Sequence, residues 1–539
     1  MPSHFRTNPR ALRRLIEDLA TPEALGHPVE GLEVVETHIS CVLLAGPFAY
    51  KFKKPVDFGF LEFSTLEQRR FYCEEELRLN RRLAPGLYLG VLAVTGTPDA
   101  PRLGGAGAPI EYCVKMRRFP SAAQLDRVLA RGALTAGLIE ALARSIAQFH
   151  ARVECASADA PYGSASEVGR YALENFTQIG NGPPEVASRE RLASLCAWTE
   201  TELERHRDLI ERRKRHGRVR HCHGDLHLTN MASMGGEIVV FDGIEFNAAL
   251  SCIDVMSEIA FLLMDLDVRE RPDLGSIFLD RYLEETGDYE GLPLLDLYRV
   301  YRSLVRAKVA YLEHQSGGEK AMCLVRYERH LALAGRYAVA ASCGPHRPHP
   351  RGLRRRQDRA QRGADPAARG TTHPLGRRAQ APGRSIGRGQ DRKCRSGIYD
   401  AAITERTYER LKDLAGIVSG CGIPVIVDAT FLARARREEF AALARSLGAP
   451  LRILDFRAGE ATLRARIRQR GAEGRDASEA NLAVLDHQLR GQEPLTPHEQ
   501  ARTLVWDTES PVEDAAIAGE LERLVQRPGD PGQAASGSR

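Results

Sequence analysis

The sequence predicts an α+β domain of two lobes over residues 1–341 followed by a smaller α/β domain, and three observations carry that reading. Apolar alternation dominates the first 116 residues, helical periodicity takes over from Leu134, and helix and strand patterns alternate again after Ser396. The stretch between them, Cys343 to Arg395, has the composition of neither.

In the first lobe (about 1–116), LEVVETHISCVLLAGPFAYKFKK reads as short antiparallel strands, and Leu66 to Leu83 as a charged amphipathic helix. LYLGVLAV and IEYCVKM add further strands. In the second lobe (about 117–341), LIEALARSIAQFHARV is a long helix, a short strand pair is expected around HCHGDLHLTNM and EIVVFDG, and helices continue into the 330s. After Ser396, TERTYERLKDLAGIVSGCG is helical and PVIVDAT reads as a buried strand ending in an acid. ARARREEFAALARSLG, LRILDF and LRARIRQRG then continue a helix–strand–helix alternation that fits a parallel sheet over 396–525; residues 526–539 read as a disordered tail.

At 539 residues the chain is too long for one core. It has no run of eighteen apolar residues, and MPSHFRTNPRALRRL lacks the apolar region of a secretory signal, so a soluble cytoplasmic protein without membrane partners is expected. The eleven cysteines form no CxxC, which argues against a zinc site or disulfide framework. The formal charge of +5 would suit nucleic acid only if it were spread out. It is not: fourteen Arg and one Lys against three Asp between Cys343 and Arg395 give that segment +12 and leave the rest at −7. No nucleic-acid partner is therefore expected.

Phosphoryl transfer asks for an acid that orients and deprotonates a hydroxyl, and for oxygen ligands to the metal that bridges the phosphates. HGDLHLTN, His223 to Asn230, followed by EIVVFDG, offers these in order: Asp225, then Asn230 five residues on, then Asp242 twelve residues later at the end of a strand. His223 reads as a structural histidine of the loop, Asp254 as a helix cap, and His150 and His227 as packed or solvated side chains.

This order and spacing resemble the kinase catalytic loop and its metal-binding Asp, with FDG in place of DFG. AYK, Ala49 to Lys51, stands where such proteins carry a lysine strand, and EELRLNRRL fits the helix whose Glu pairs with that lysine, Glu76 first and Glu75 second. Residues 1–340 thus resemble the aminoglycoside phosphotransferase and choline-kinase superfamily. The resemblance implies a protein-kinase-like bilobal fold, ATP and Mg²⁺ as cofactors, and a small-molecule hydroxyl substrate. Asp225 would be the base, and Asn230 and Asp242 the metal ligands. Lys51 and Glu76 would hold the phosphates, with Lys53 on the same strand face able to substitute. The turn Thr37 to Ser40 takes the place of the phosphate-covering loop but has no glycine. Lys115 and Met116, within EYCVKMRRF, would belong to the hinge that receives adenine. The acceptor is not implied; Asp265 and Asp267 would suit a cationic one or be plain surface charges. A nucleotide-binding regulatory protein without turnover is the alternative.

The same stretches, YKFKKPVDFGFLEFSTLEQR among them, also resemble a bacterial subgroup in which this domain is fused to a P-loop ATPase similar to small-molecule kinases and zeta-toxin-like proteins. That implies an α/β P-loop-type second domain, with Asp428 near metal or substrate and Arg464, Arg468 and Arg475 as a phosphate-clamping lid. Yet GxxxxGK[ST] occurs nowhere in the chain. Its place falls in the Arg-rich segment, whose only large apolar residues are Leu353, Leu375 and Ile386. Codons for Pro350 to Arg359 can be chosen so that a one-base shift reads HGVSGAGKT, a complete P-loop. Two compensating frame shifts are the reading we favour; a disordered linker or basic patch is the alternative. Either way, the first strand and phosphate loop are disrupted as written and the second module is expected to be inactive.

Overall fold

Alternation along Phe48–Lys53 (β3) sets the plan of the first unit: Phe48, Tyr50 and Phe52 point to one face of the sheet, and Ala49, Lys51 and Lys53 to the other. The computed structural model describes residues 9–57, 61–157, 159–342, 401–473, 482–509 and 519. They form two compact units, Met1–Val339 and Ala340–Arg539.

The small lobe is one antiparallel sheet of Glu33–Glu36 (β1), Ser40–Ala45 (β2), β3, Tyr88–Thr97 (β4), Ala100–Leu103 (β5) and Glu111–Arg117 (β6). Its order is β1-β2-β3-β6-β4-β5. Helix Pro9–Leu19 lays Leu12, Leu15, Ile16 and Leu19 against Leu43, Tyr50, Phe52 and Cys113 on the outer face. Helix Leu66–Asn80 serves the inner face. It begins in a capping box, with Thr65 accepting from the Gln68 N–H and the Gln68 side chain accepting from the Thr65 N–H.

The large lobe is helical. Its centre is Val255–Val268, buried without a break from Val255 to Leu266, as a helix packed on all sides must be. Asp254 caps it through the Met256 N–H at 2.8 Å and is gripped by Arg213, so the expected cap is present. The expected strand pair becomes two: Val219–His221 (β7) with Cys252–Asp254 (β10), and Met231–Met234 (β8) with Glu237–Val240 (β9). The HGDLHLTN loop runs from the first pair to the second.

In the second unit, helices Ala401–Gly420, Arg434–Ser446 and Glu460–Glu473 and strand Ile453–Arg457 (β11) appear where expected, and β11 pairs in parallel with Thr503–Asp507 (β12). One expectation fails. PVIVDAT, Pro424 to Thr430, is not a strand, and Ile426 is 84% exposed. A strand exists through its neighbours' hydrogen bonds, and among the described residues none stands beside it. Phe456 and Val505 are likewise exposed on β11 and β12, whereas parallel sheets are ordinarily covered on both faces. The segment read as carrying the altered P-loop, 343–395, lies outside the described residues.

Three buried histidines make the first unit acid-sensitive. Burial pushes His150 down to about 3, and His223 and His330 to about 4, against an ordinary value near 6.5. The unfolded chain therefore binds these protons more tightly. The stability held by keeping the rings neutral is fully present above about pH 6.5 and is lost as pH falls towards 4. Glu111 and Glu258, raised by burial, take protons in the folded state and offset part of the loss. A net loss on the order of several kcal/mol is expected. The urea midpoint of the full chain should fall clearly between pH 7 and pH 5; an unchanged midpoint would contradict the assignment.

Candidate active site

Lys51 and Lys53 share the inner face of β3 with Glu76, which points up from helix Leu66–Asn80. Lys51 Nζ donates to Glu76 Oε1 at 2.8 Å and also to Asp242 Oδ1. Lys53, fully buried, donates to the other Glu76 oxygen and to Glu245. Burial works against every charge here. For Glu76 the two ammonium groups overcome it and hold the carboxyl down at about 2. For Lys51 the opposition of burial is overcome by Asp242, Glu76 and Glu245, which raise it well above its ordinary value. Glu75, the second choice from sequence, pairs instead with Arg78 at the surface, at 2.7 Å.

The loop His223–Asn230 is held from below. Glu258 accepts the His223 N–H at 2.8 Å and the Gly224 N–H at 3.0 Å, Asp265 accepts the Leu228 N–H at 3.0 Å, and Arg302 donates to the Gly224 carbonyl at 3.2 Å. From the small lobe, Arg82 donates to the carbonyls of His221 and Cys222 at 2.7 and 3.1 Å. Gly224 has φ +88°, and a Cβ there would come within 2.9 Å of the Leu250 carbonyl oxygen, so the glycine is obligatory.

On this base Asp225 is fixed by two neighbours. Asn230 Nδ2 donates to its Oδ2 at 2.8 Å and to its carbonyl at 3.1 Å, and His227 Nε2 lies 3.2 Å from Oδ2. Burial opposes ionisation of Asp225, but His227 and, farther off, Arg306 overcome it and hold the carboxyl well below the usual range. It is an ionised acceptor at neutral pH. Sequence reasoning set His227 aside as a packed or solvated ring; the structure puts it against the Asp225 carboxylate, with Thr229 Oγ1 at 2.6 Å from its other nitrogen. His223 is a strut, its Nε2 2.9 Å from the Phe241 carbonyl oxygen.

Asp242 is aimed by its backbone. It adopts φ 64°, rare for a residue with a side chain, and is kept there by the Tyr88 hydroxyl on its N–H at 3.1 Å and by Asn80 Oδ1 on the next N–H at 2.7 Å. Its side chain stays 47% exposed. The donor set is of a kind that would suit Mg²⁺: the Asp242 carboxylate is half-exposed, and Asn230, whose amide nitrogen is committed to Asp225, carries an amide oxygen that would be a second hard donor. No sequence signal marked Glu245, Tyr88 or Asn80, because each acts through a partner distant in the chain.

The remaining expected residues are more scattered. Thr37 and Ser40 close the β1–β2 turn on themselves, with the Thr37 N–H on the Ser40 carbonyl at 2.9 Å and the Ser40 N–H on Thr37 Oγ1 at 3.0 Å. Met116 packs at the lobe junction with Phe119, Val239 and Phe241. The Lys115 side chain leaves by the outer face, its ammonium 3.8 Å from the centre of the Phe48 ring, away from the inner face that carries Lys51 and Lys53. Asp265 and Asp267 are committed to partners within the fold: Asp265 braces the loop and Arg269, and Asp267 accepts the Tyr337 hydroxyl at 2.5 Å. In the second unit, Asp428 is exposed outside any strand. Arg464 is tied to Glu460 and Asp486 at 2.7 and 2.5 Å, Arg468 is exposed on the same helix, and Arg475 lies outside the described residues.

Residues 346–495 match the family model of an AAA domain. Across both units the chain is similar to uncharacterized proteins of Mycobacterium tuberculosis and Mycobacterium bovis, each 29% identical over 516 residues, covering 93% of this chain and 95% of theirs. Among solved structures it is similar to a choline/ethanolamine kinase family protein from Mesorhizobium loti (13% identity, 60% of this chain and 99% of that one, TM-score 0.37). A second is the amicoumacin kinase hAmiN in complex with AMP-PNP, Ca²⁺ and Ami (14% identity, 61% and 94%, TM-score 0.36). Among the described residues no helix is long and apolar enough to cross a membrane.

Proposed function

We propose that the first unit is an ATP-dependent phosphotransferase acting on a hydroxyl of a small molecule. One observation supports this: residues from four segments of the two lobes pair up, Lys51 with Glu76 and Asp242, and an ionised Asp225 with Asn230. Lys51 would steady the phosphates of ATP, and Glu76 keeps its ammonium charged and extended. Asp242 and Asn230 would hold Mg²⁺, which supplies charge neutralisation between the phosphates when bound. Asp225 accepts the proton of the acceptor hydroxyl as its oxygen bonds to the γ-phosphorus. The bond from that phosphorus to the bridging oxygen breaks, and ADP leaves with the electron pair. His227 and Asn230 aim the carboxylate. ATP dependence and the free thiols of the described cysteines suit a cytoplasmic setting.

Replacing Asp242 by Asn tests the metal role. ADP release should fall by about a hundredfold or more, with the Mg²⁺ concentration for half-maximal rate moved upward. Unchanged Mg²⁺ dependence would remove Asp242 from the metal site.

The self-closed, glycine-free turn Thr37 to Ser40 favours a second reading, a nucleotide-binding module without turnover. Stabilisation by Mg·ATP with no ADP release over a broad panel of hydroxyl compounds would support it. For the second unit we retain the frame-shift reading. The nucleotide sequence through codons 343–395 decides it, and an unbroken, reproducible frame would end it.

A further inference from the structure

Three donors of different chemistry converge beneath the catalytic loop. His150 lies in the last turn of helix Ala136–Arg152, Cys222 directly follows β7 and precedes His223, and Glu258 belongs to the first turn of helix Val255–Val268. An imidazole nitrogen of His150, the Cys222 Sγ and a Glu258 carboxylate oxygen all lie within 4.8 Å of one another. His150 is 3% exposed, and the other two are fully buried.

The fold leaves this cluster unfinished. His150 Nδ1 sits 2.8 Å from the Tyr282 hydroxyl, whereas Nε2 is buried with no hydrogen-bond partner. A polar nitrogen in that position is costly unless something completes it. With Tyr282 accepting the Nδ1–H, Nε2 carries a free lone pair, which is the state in which a histidine binds a metal and the way an outer partner fixes a ligating ring. Glu258 is held in place by the backbone: Oε1 accepts the His223 N–H at 2.8 Å and Oε2 the Gly224 N–H at 3.0 Å, and each oxygen keeps a lone pair. The Cys222 thiol makes a weak contact, 3.6 Å to the Ile253 carbonyl oxygen.

Nitrogen, sulfur and oxygen together are a donor set for Zn²⁺ and not for Mg²⁺ or Ca²⁺, which take oxygen ligands. A neutral imidazole, a thiolate and a carboxylate bring two negative charges, so a divalent ion leaves the buried cluster neutral. Tetrahedral Zn²⁺ bonds of about 2.0–2.3 Å set neighbouring donors about 3.3–3.8 Å apart, so the side chains need to close by no more than roughly an ångström.

We propose that His150, Cys222 and Glu258 form a buried site for a thiophilic divalent cation such as Zn²⁺. On binding, the thiol gives its proton to solvent; sulfur, Nε2 and a Glu258 oxygen take three positions, and water takes the fourth. The ion would tie helix Ala136–Arg152 and helix Val255–Val268 to the start of the catalytic loop. Its ligands are a different set from Asp242 and Asn230, and the site does not depend on the phosphotransferase reading. No CxxC spacing announces it, because its donors come from three separate segments.

The test uses the full chain produced in cells supplied with Zn²⁺ or Co²⁺ and cleared of loosely bound metal with EDTA. About one ion per chain should remain by mass spectrometry, and the cobalt form should show a thiolate-to-metal charge-transfer band. Cys222→Ser, and His150→Gln, which can keep a contact to Tyr282, should each lower the retained metal roughly tenfold or more and remove the band with it. Cys155→Ser, which deletes an exposed thiol, should change neither. Loss of all metal from the parent, a cobalt spectrum without the thiolate band, a band lost in Cys155→Ser, or retention equal to the parent's in a folded Cys222→Ser or His150→Gln would overturn the proposal. The parent and Cys155→Ser decide it even where a ligand variant fails to fold.

Discussion

Asp225→Ala is expected to lower phosphoryl transfer on the order of a thousandfold while leaving the fold in place. The size follows from the proposed role: a positioned base contributes about a hundred- to ten-thousandfold, and the same carboxylate would also orient the acceptor. The fold should tolerate the change because the Asp225 side chain is 34% exposed, and what is lost with it is its bonds to Asn230 and His227. The loop's supports from Glu258, Asp265 and Arg302 engage backbone atoms of other residues and remain. A thermal midpoint within a few degrees of the parent, retained stabilisation by Mg·ADP, and ADP release near background is the expected set. Turnover equal to that of the parent would refute the assignment. Asp225→Asn separates positioning from proton acceptance: the amide can keep a contact to Asn230 but cannot take the proton, so its loss should approach that of the alanine variant.

Lys53→Met is expected to cost the most stability of any single change near the site. The fully buried ammonium bridges Glu76 and Glu245, and both carboxylates are almost completely buried. Without it, two acids face each other with one lysine, Lys51, left to serve Glu76 and Asp242. Breaking a buried pair by removing one partner typically costs about 3–5 kcal/mol, because a charge is stranded without solvent. For a unit of this size that corresponds to roughly 4–7 °C in the melting midpoint. Part of the loss should be absorbed by protonation of Glu245, which burial already raises, so the variant should be less unstable at pH 5.5 than at pH 8 relative to the parent. The double change Lys53→Met with Glu245→Leu replaces the pair by apolar groups and should recover most of the midpoint. If Lys53→Met alone melts with the parent at both pH values, the buried bridge is not part of the fold's stability.

The pair also explains how Asp242 is aimed. Glu245 stands three residues after Asp242, and Lys53 ties it to the helix carrying Glu76, while Asn80 of that helix takes the Gly243 N–H. The segment after β9 is thus fastened to the same helix that orients Lys51.

Much of this was readable from the chain alone. The period-two pattern of FAYKFK separates the core face from the lysine face, because side chains on a strand have no other way to alternate. The order of lysine strand, glutamate helix, HGDLHLTN and FDG fixes which residues meet, and the long helices follow from their periodicity. Local sequence could not reveal partners: Lys53 and Glu245 are 192 residues apart, and Arg213 meets Asp254 and Asp288 only because separate helices and a strand bring them there. Nor could it show that PVIVDAT would fail as a strand. Its apolar run satisfies the strand pattern, but a strand's hydrogen bonds lie between segments, and among the described residues the neighbours that would complete it do not occur. Sequence determined the elements whose causes lie within a turn or two of chain. Tertiary structure decided everything that depends on pairing across the fold: the charge network of Lys51, Lys53, Glu76 and Glu245, and the aim of Asp242.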